Sequence, residues 1–216
     1  MSRLPLDRGA GGGRYPGFST LAQSGHWDRA TAGVVLGRLA RPADIRFFTP
    51  AEEATARALF DQLLDQHAEP RVPVVNFVDA RLAENQTDGW RFEDMPEDGQ
   101  AWHESLSALD RSAEEAFNQT FANCNDDRQA DLLRTVRDLG AASWQGLPAG
   151  RVWGLWTRYA CTAFYSHPWA WDEIGFGGPA YPRGYKNVGL NRLEPFEVAD
   201  TRPTEDPVAL DGGTRR

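Results

Sequence analysis

Apolar residues recur through the middle of the chain at helical intervals, and that pattern sets the elements. Leu59, Phe60, Leu63, Leu64 and His67 fall three and four residues apart, one stripe of a helix over roughly 50–67. Its start is marked by Thr49, Pro50 and Glu52, a capping box in which the Thr oxygen accepts an orphan amide, Pro takes the first helical position and Glu reaches back. Pro70 and Pro73 stop it. A second helix over 74–85 turns Val74, Val75, Val78 and Leu82 inward, with Asp79 and Glu84 facing out. The acidic stretch 88–100, with Gly89, Pro96 and Gly99, reads as a surface loop. Trp102, Leu106, Leu109, Ala113, Phe117 and Phe121 then repeat at offsets of four, three, four, four and four, the seam of a third helix near 100–122. Asn125 or Asp126 caps a fourth over 127–139, with Leu132, Leu133, Val136 and Leu139 as its stripe and Gly140 placed for a left-handed end. Pro148 opens a fifth, which Val152, Leu155, Trp156, Tyr159, Ala160 and Ala163 carry to Phe164. No alternating strand pattern extends beyond a few residues. The expected fold is mainly α, an irregular helical bundle with a long Gly/Pro/aromatic C-terminal loop.

The flanks follow other rules. Residues 1–46 read as an N-terminal arm, mostly extended, with Gly9, Gly11, Gly12 and Gly13 close together and no sustained period. Val34, Val35 and Leu39 allow a short strand or a helical turn there. Tyr15, Phe18 and Trp27 favour an arm that wraps a partner, since solvated linkers seldom carry large rings. The helical domain spans 47–187, and 188–216, with Pro195, Pro203 and Pro207, reads as a flexible tail able to extend along a partner.

From Ser166 to Tyr185 four Gly and three Pro punctuate any helix or strand, while Trp169, Trp171, Phe176, Tyr181 and Tyr185 make the segment too aromatic for a linker. Two readings stay open. The segment folds onto its own helices, or some of its rings form a docking surface, because Trp, Tyr and Arg concentrate binding energy at interfaces. Five of the eight Trp lie between Trp144 and Trp171, more than a small bundle readily buries, which gives the docking reading its weight.

Composition narrows the partners. With 31 acidic against 23 basic side chains the net charge is −8, so duplex nucleic acid and anionic membrane surfaces are disfavoured as ligands. Cys124 and Cys161 lie in no CxxC pair and read as two buried thiols. No apolar run reaches the length of a signal core or a membrane span, and the one Arg-Arg pair is Arg215-Arg216; the expected location is cytoplasmic, with periplasmic co-export by a signal-bearing partner as the alternative. His167 with Asp172 and Glu173 has the right chemistry for a metal but the wrong spacing, and His26, His67 and His103 belong to separate segments. Glu114-Glu115 diverge on a helix and read as a solvated face, and Asp126-Asp127 as favourable charges at a helix N-terminus. GxGxxG after a strand, GxxxxGK[ST] and GxSxG are all missing, so no catalytic, cofactor-binding or metal-binding residue is assigned to this chain.

The run from Phe164 through Ser166-His167-Pro168-Trp169-Ala170-Trp171 to Gly184-Tyr185 resembles the C-terminal signature of the gluconate 2-dehydrogenase subunit 3 family, and the likeness extends upstream to Phe48-Thr49-Pro50 and Leu132-Leu133. The resemblance implies a small, cofactor-free helical subunit of a large flavin dehydrogenase of the glucose-methanol-choline type. In such complexes the large chain binds FAD and oxidises a sugar, aldonate or polyol, in some with a cytochrome c subunit, and the small chain assists folding, stability or export. On this reading His167, Trp169, Trp171, Phe176, Tyr181, Arg183 and Tyr185 form the partner interface. An obligate contact would bury on the order of 2,000 Å² or more. Two alternatives remain beside it: a free-standing carbohydrate-binding module or enzyme using the Trp-rich loop, and an assembly chaperone that leaves the mature flavoprotein.

Overall fold

The computed structural model describes residues 14–204 apart from 16, 68, 70 and 191. Among these the chain forms seven α-helices: α1 (Arg29–Gly37), α2 (Pro50–Leu64), α3 (Val74–Ala83), α4 (Asp98–Phe117), α5 (Asp126–Asp138), α6 (Ala149–Phe164) and α7 (Pro168–Glu173). Two 3₁₀ turns, Thr20–His26 and Phe121–Asn123, and one two-residue strand pair complete it. The protein is mainly helical, as the periodicity predicts. The chain divides into two compact units, Arg41–Ser166 and Met1–Ala40 with His167–Arg216.

In Arg41–Ser166, α2 packs against α3, α4, α5 and α6. The capping box forms: the Glu52 amide donates to Thr49 Oγ1 at 3.3 Å and the Thr49 amide to the Glu52 carboxylate at 2.9 Å. Asp65 ends α2 in the left-handed region, ahead of the prolines, so His67 lies beyond the helix. Phe60, Trp102 and Tyr159 meet at ring separations of 5.5 and 5.6 Å, and all three are buried along with Leu59, Leu106, Leu109 and Trp156. The Trp156 indole donates to Ser105 Oγ at 3.0 Å. The seam read through Phe121 breaks at Asn118, which takes φ 55; Phe121 nevertheless stays buried because the 3₁₀ turn carries it back under α2 and α4. Ser143–Trp144 pairs with Leu147–Pro148 across Gln145 and Gly146, both at positive φ, a hairpin too short for any alternation to announce it.

Polar side chains turn inward wherever a connection needs partners. Asp79, read as outward-facing, is fully buried, and its carboxylate accepts the amides of Arg46, Phe47 and Phe48 at 2.7, 2.8 and 2.9 Å. Those amides enter α2 with no ladder to pair them, and a buried donor without a partner costs about 1–3 kcal/mol. Asp110 serves the Phe121 amide at 2.9 Å and the Thr55 hydroxyl at 3.0 Å. Gln129 donates to the Phe121 and Cys124 carbonyls, and Gln66 exchanges both its hydrogen bonds with Val72. Cys124 is buried as expected; Cys161 is exposed, because α6 turns that position away from its apolar face.

The other unit differs from its sequence reading. The segment read as mostly extended contains the Thr20–His26 turn and α1, whose N-terminus Asp28 caps by accepting from the Thr31 amide at 2.8 Å. Segment 166–185, read as free of helix, contains α7, started by His167 at the cap and Pro168 in the first turn. Trp27, Val35 and Trp171 form one buried apolar cluster, with Ala32 against it. The tail read as flexible is tied down over its described part: the Glu194 carboxylate accepts the amides of Lys186 and Asn187, Asp200 pairs with Arg14, and the Thr201 amide donates to the Arg14 carbonyl at 2.9 Å. The Gly9–Gly13 cluster and residues 205–216 lie outside the described residues.

Candidate functional site

The aromatic segment sorts into two sets. His167 is 2% exposed; its Nδ1 accepts from the Trp169 amide at 3.2 Å, and its ring also hydrogen-bonds the Arg38 backbone. Burial, with the Arg38 charge, pushes its pKa down to about 4 against that hydrogen bond, so the ring is neutral at neutral pH. Trp171 lies in the cluster with Trp27 and Val35, edge-on to Phe176 at 5.2 Å and under the Arg38 guanidinium at 5.9 Å. Trp169 is half-buried against the His167 ring at 4.7 Å. Asp172, also buried, accepts the Thr20 amide at 2.7 Å, and desolvation raises its pKa. These residues hold the unit together.

The glycines explain how so many rings fit. At Gly178, with φ +76, a Cβ would collide with the Trp27 indole; at Gly175, with φ +65, it would meet the Tyr15 ring at 2.5 Å. Only a residue without a side chain allows both the backbone angle and the ring lying on it. The Gly-rich stretch is thus a bed for rings supplied from residues 15–27.

The second set faces out. Tyr181 (66%), Tyr185 and Phe176 are exposed, and the exposure continues through Val188, Leu190 (93%) and Leu193. Arg183 is half-buried and occupied within its own unit: it donates to Gln23 Oε1 at 3.0 Å and to the Gly177 carbonyl at 3.2 Å, with its guanidinium 3.7 Å from the Phe196 ring centre. Of the seven residues read as partner contacts, Phe176, Tyr181 and Tyr185 therefore lie on the outer face, while His167 and Trp171 lie inside. Val188, Leu190 and Leu193 were missed because a lone aliphatic residue in a tail carries no pattern.

A further constellation sits in Arg41–Ser166, assembled from residues 81–159. Asp88 bridges Arg81 of α3 and Arg158 of α6, and both guanidiniums lie over the Tyr159 ring, 4.6 and 5.3 Å from its centre. The Tyr159 hydroxyl donates to Asp98 at 2.6 Å; burial and this carboxylate push its pKa well above the ordinary value. A cleft of about 570 Å³ lies alongside, lined by Phe47, Asn85, Thr87, Trp90, Asp98 and Gln100. Spread over 79 residues of sequence, the cluster left no local signal.

Among the described residues no group of three or more His, Cys, Asp or Glu is placed to hold a metal, and no helix is long and apolar enough to cross a membrane. His167, Asp172 and Glu173 lie on or beside α7, where His167 and Asp172 serve backbone amides.

The family model for gluconate 2-dehydrogenase subunit 3 matches residues 50–178, more than half of the chain, and the chain belongs to that family. No curated protein and no solved structure gave a significant match. The matched stretch carries α2 to α7 and ends at Gly178, so the exposed row from Tyr181 to Leu193 lies beyond it.

Proposed function

We propose that the protein is a noncatalytic small subunit that stabilises or matures a large FAD-dependent dehydrogenase of the glucose-methanol-choline type, acting on a sugar, aldonate or polyol. The family membership carries this reading, since the family is that of a dehydrogenase subunit. The exposed side chains of Phe176, Tyr181, Tyr185, Val188, Leu190 and Leu193 support it, because so many large apolar residues exposed within one short segment suit a surface that a partner covers. FAD and the chemistry reside in the partner on this reading, and this chain contributes contact area.

A tagged pull-down from native cells, followed by an absorption spectrum, tests it. The expected product is a yellow complex with flavin bands and a second, larger chain. Replacing Tyr181, Tyr185 and Leu190 together by Ser is expected to release that chain while the circular dichroism of the subunit stays unchanged. A colourless, monodisperse single chain that binds no hydrophobic dye overturns the proposal.

A further inference from the structure

We propose that Arg81 and Arg158 form a carboxylate-binding site that the chain fills with its own Asp88, and that residues 84–97 are a strap which this contact latches. The inference is independent of the flavoprotein reading, because every residue in it belongs to Arg41–Ser166.

Three observations meet here. The first is the fit: one carboxylate serves two guanidiniums that come from different helices and share the Tyr159 ring as a platform. Arg81 donates to one oxygen of that carboxylate and Arg158 to the other, and stacking on a ring holds both guanidiniums pre-oriented. The second is charge. Arg81 and Arg158 face Asp88 and Asp98, so the cluster is balanced as it stands. Asp98 already accepts from Tyr159 and lies 4.0 Å from Arg158, so removing Asp88 leaves one positive charge that a single further carboxylate neutralises. The side chains of Arg81, Asp88 and Arg158 are 22%, 26% and 30% exposed, shielded enough to matter and open enough to exchange.

The third is the strap itself. The connection from α3 to α4 contains no helix or strand, and charged groups make most of its anchors. Arg81 Nε donates to the Gln86 carbonyl at 2.8 Å, Arg46 pairs with Glu84 at 2.9 Å, Arg151 lies 3.4 Å from Asp94 and 3.6 Å from the Phe92 ring centre, and Arg158 lies 5.1 Å from the Trp90 ring centre. Met95 is its one buried apolar side chain, while Trp90 and Phe92 stay exposed. A segment with few buried apolar contacts opens at low cost. Release of Asp88 therefore frees the strap, with Trp90 and Phe92 on it, and uncovers the two arginines to an external carboxylate.

Hydrogen exchange resolved by peptide reads this directly. In Asp88→Ala, exchange over 85–97 is expected to rise about 5-fold or more while α2 and α5 keep their protection. In this variant sodium acetate at about 100 mM is expected to shift the Arg81 and Arg158 Nε–H resonances while the strap stays free, and sodium chloride at equal ionic strength is not expected to shift them. Unchanged exchange in the strap overturns the latch, as does an equal rise through α3, α4 and α6, which marks the cluster as ordinary support of the fold. Shifts with chloride as large as with acetate, or none with acetate, overturn the carboxylate site. The wild-type chain supplies a second reading that needs no substitution: raising sodium chloride from about 0.05 to about 1 M is expected to speed exchange selectively in 85–97, because the contact is partly screened by salt. No selective change overturns the latch.

Discussion

The two units solve the same problem, burying large rings, by opposite means. In Arg41–Ser166 the rings sit on helices at three- and four-residue spacing, and Trp102, Trp156, Tyr159 and Phe60 end almost fully buried. In the unit made from residues 14–40 and 167–204, helices are short, and rings find shelter by lying on glycine backbone at Gly175 and Gly178. The first arrangement spreads each ring's contacts over several elements, so the loss of one ring is felt throughout the core. The second depends on single positions, and it leaves a row of apolar side chains uncovered at its edge.

Breaking the helical core should have the largest effect. Trp102→Ala, at a site of zero exposure touched by Phe48, Phe60 and Tyr159, is expected to cost about 4 kcal/mol in urea unfolding. Asp79→Ala strands the three amides before α2 and is expected to cost about 3 kcal/mol, with Asp79→Asn recovering only part because Asn retains a single acceptor oxygen. The comparison fails if either loss is below about 1 kcal/mol.

The glycine-bedded unit should respond to pH and to one methyl group. His167 is held neutral in the folded chain with its pKa lowered to about 4, so it favours folding fully above pH 6.5 and progressively less as pH falls from there to 4, a loss of roughly 2–3 kcal/mol. Limited proteolysis of residues 14–40 against pH should show this acid limb in the wild type and lose it in His167→Asn, which keeps an acceptor for the Trp169 amide. Gly178→Ala, forced to positive φ against Trp27, is expected to cost about 2 kcal/mol and to loosen the same residues at every pH. Equal resistance of Gly178→Ala and wild type to protease would show that the bed is dispensable.

Much of the first unit was legible in advance. Thr49, Pro50 and Glu52 form the capping box, and the Trp102 to Ala113 seam faces the core, because helix period and caps are encoded within a few residues of themselves. The stops were less legible: Asp65 and Asn118 end α2 and α4 in the left-handed region, where neither residue type requires it. Within the aromatic segment His167 carries a local signal for a cap, with Pro168 after it, yet the density of Gly and Pro masked so short a helix. The division of the docking candidates was not legible, since buried Trp171 and exposed Tyr181 stand in similar company along the chain.

What the sequence determined by itself is the helical class, the seams of the long helices, and membership of the gluconate 2-dehydrogenase subunit 3 family over residues 50–178. The class and the seams rest on residues close together in the chain, where spacing translates directly into a shared face. Tertiary structure alone decided that Asp79 points inward, that Tyr15 and Trp27 lie on Gly175 and Gly178, and that Asp88 joins Arg81 to Arg158. Those outcomes depend on which backbone amide, ring or guanidinium arrives from a distant segment. The cost of leaving a buried donor or a charge unpaired is then met by whatever side chain lies within reach.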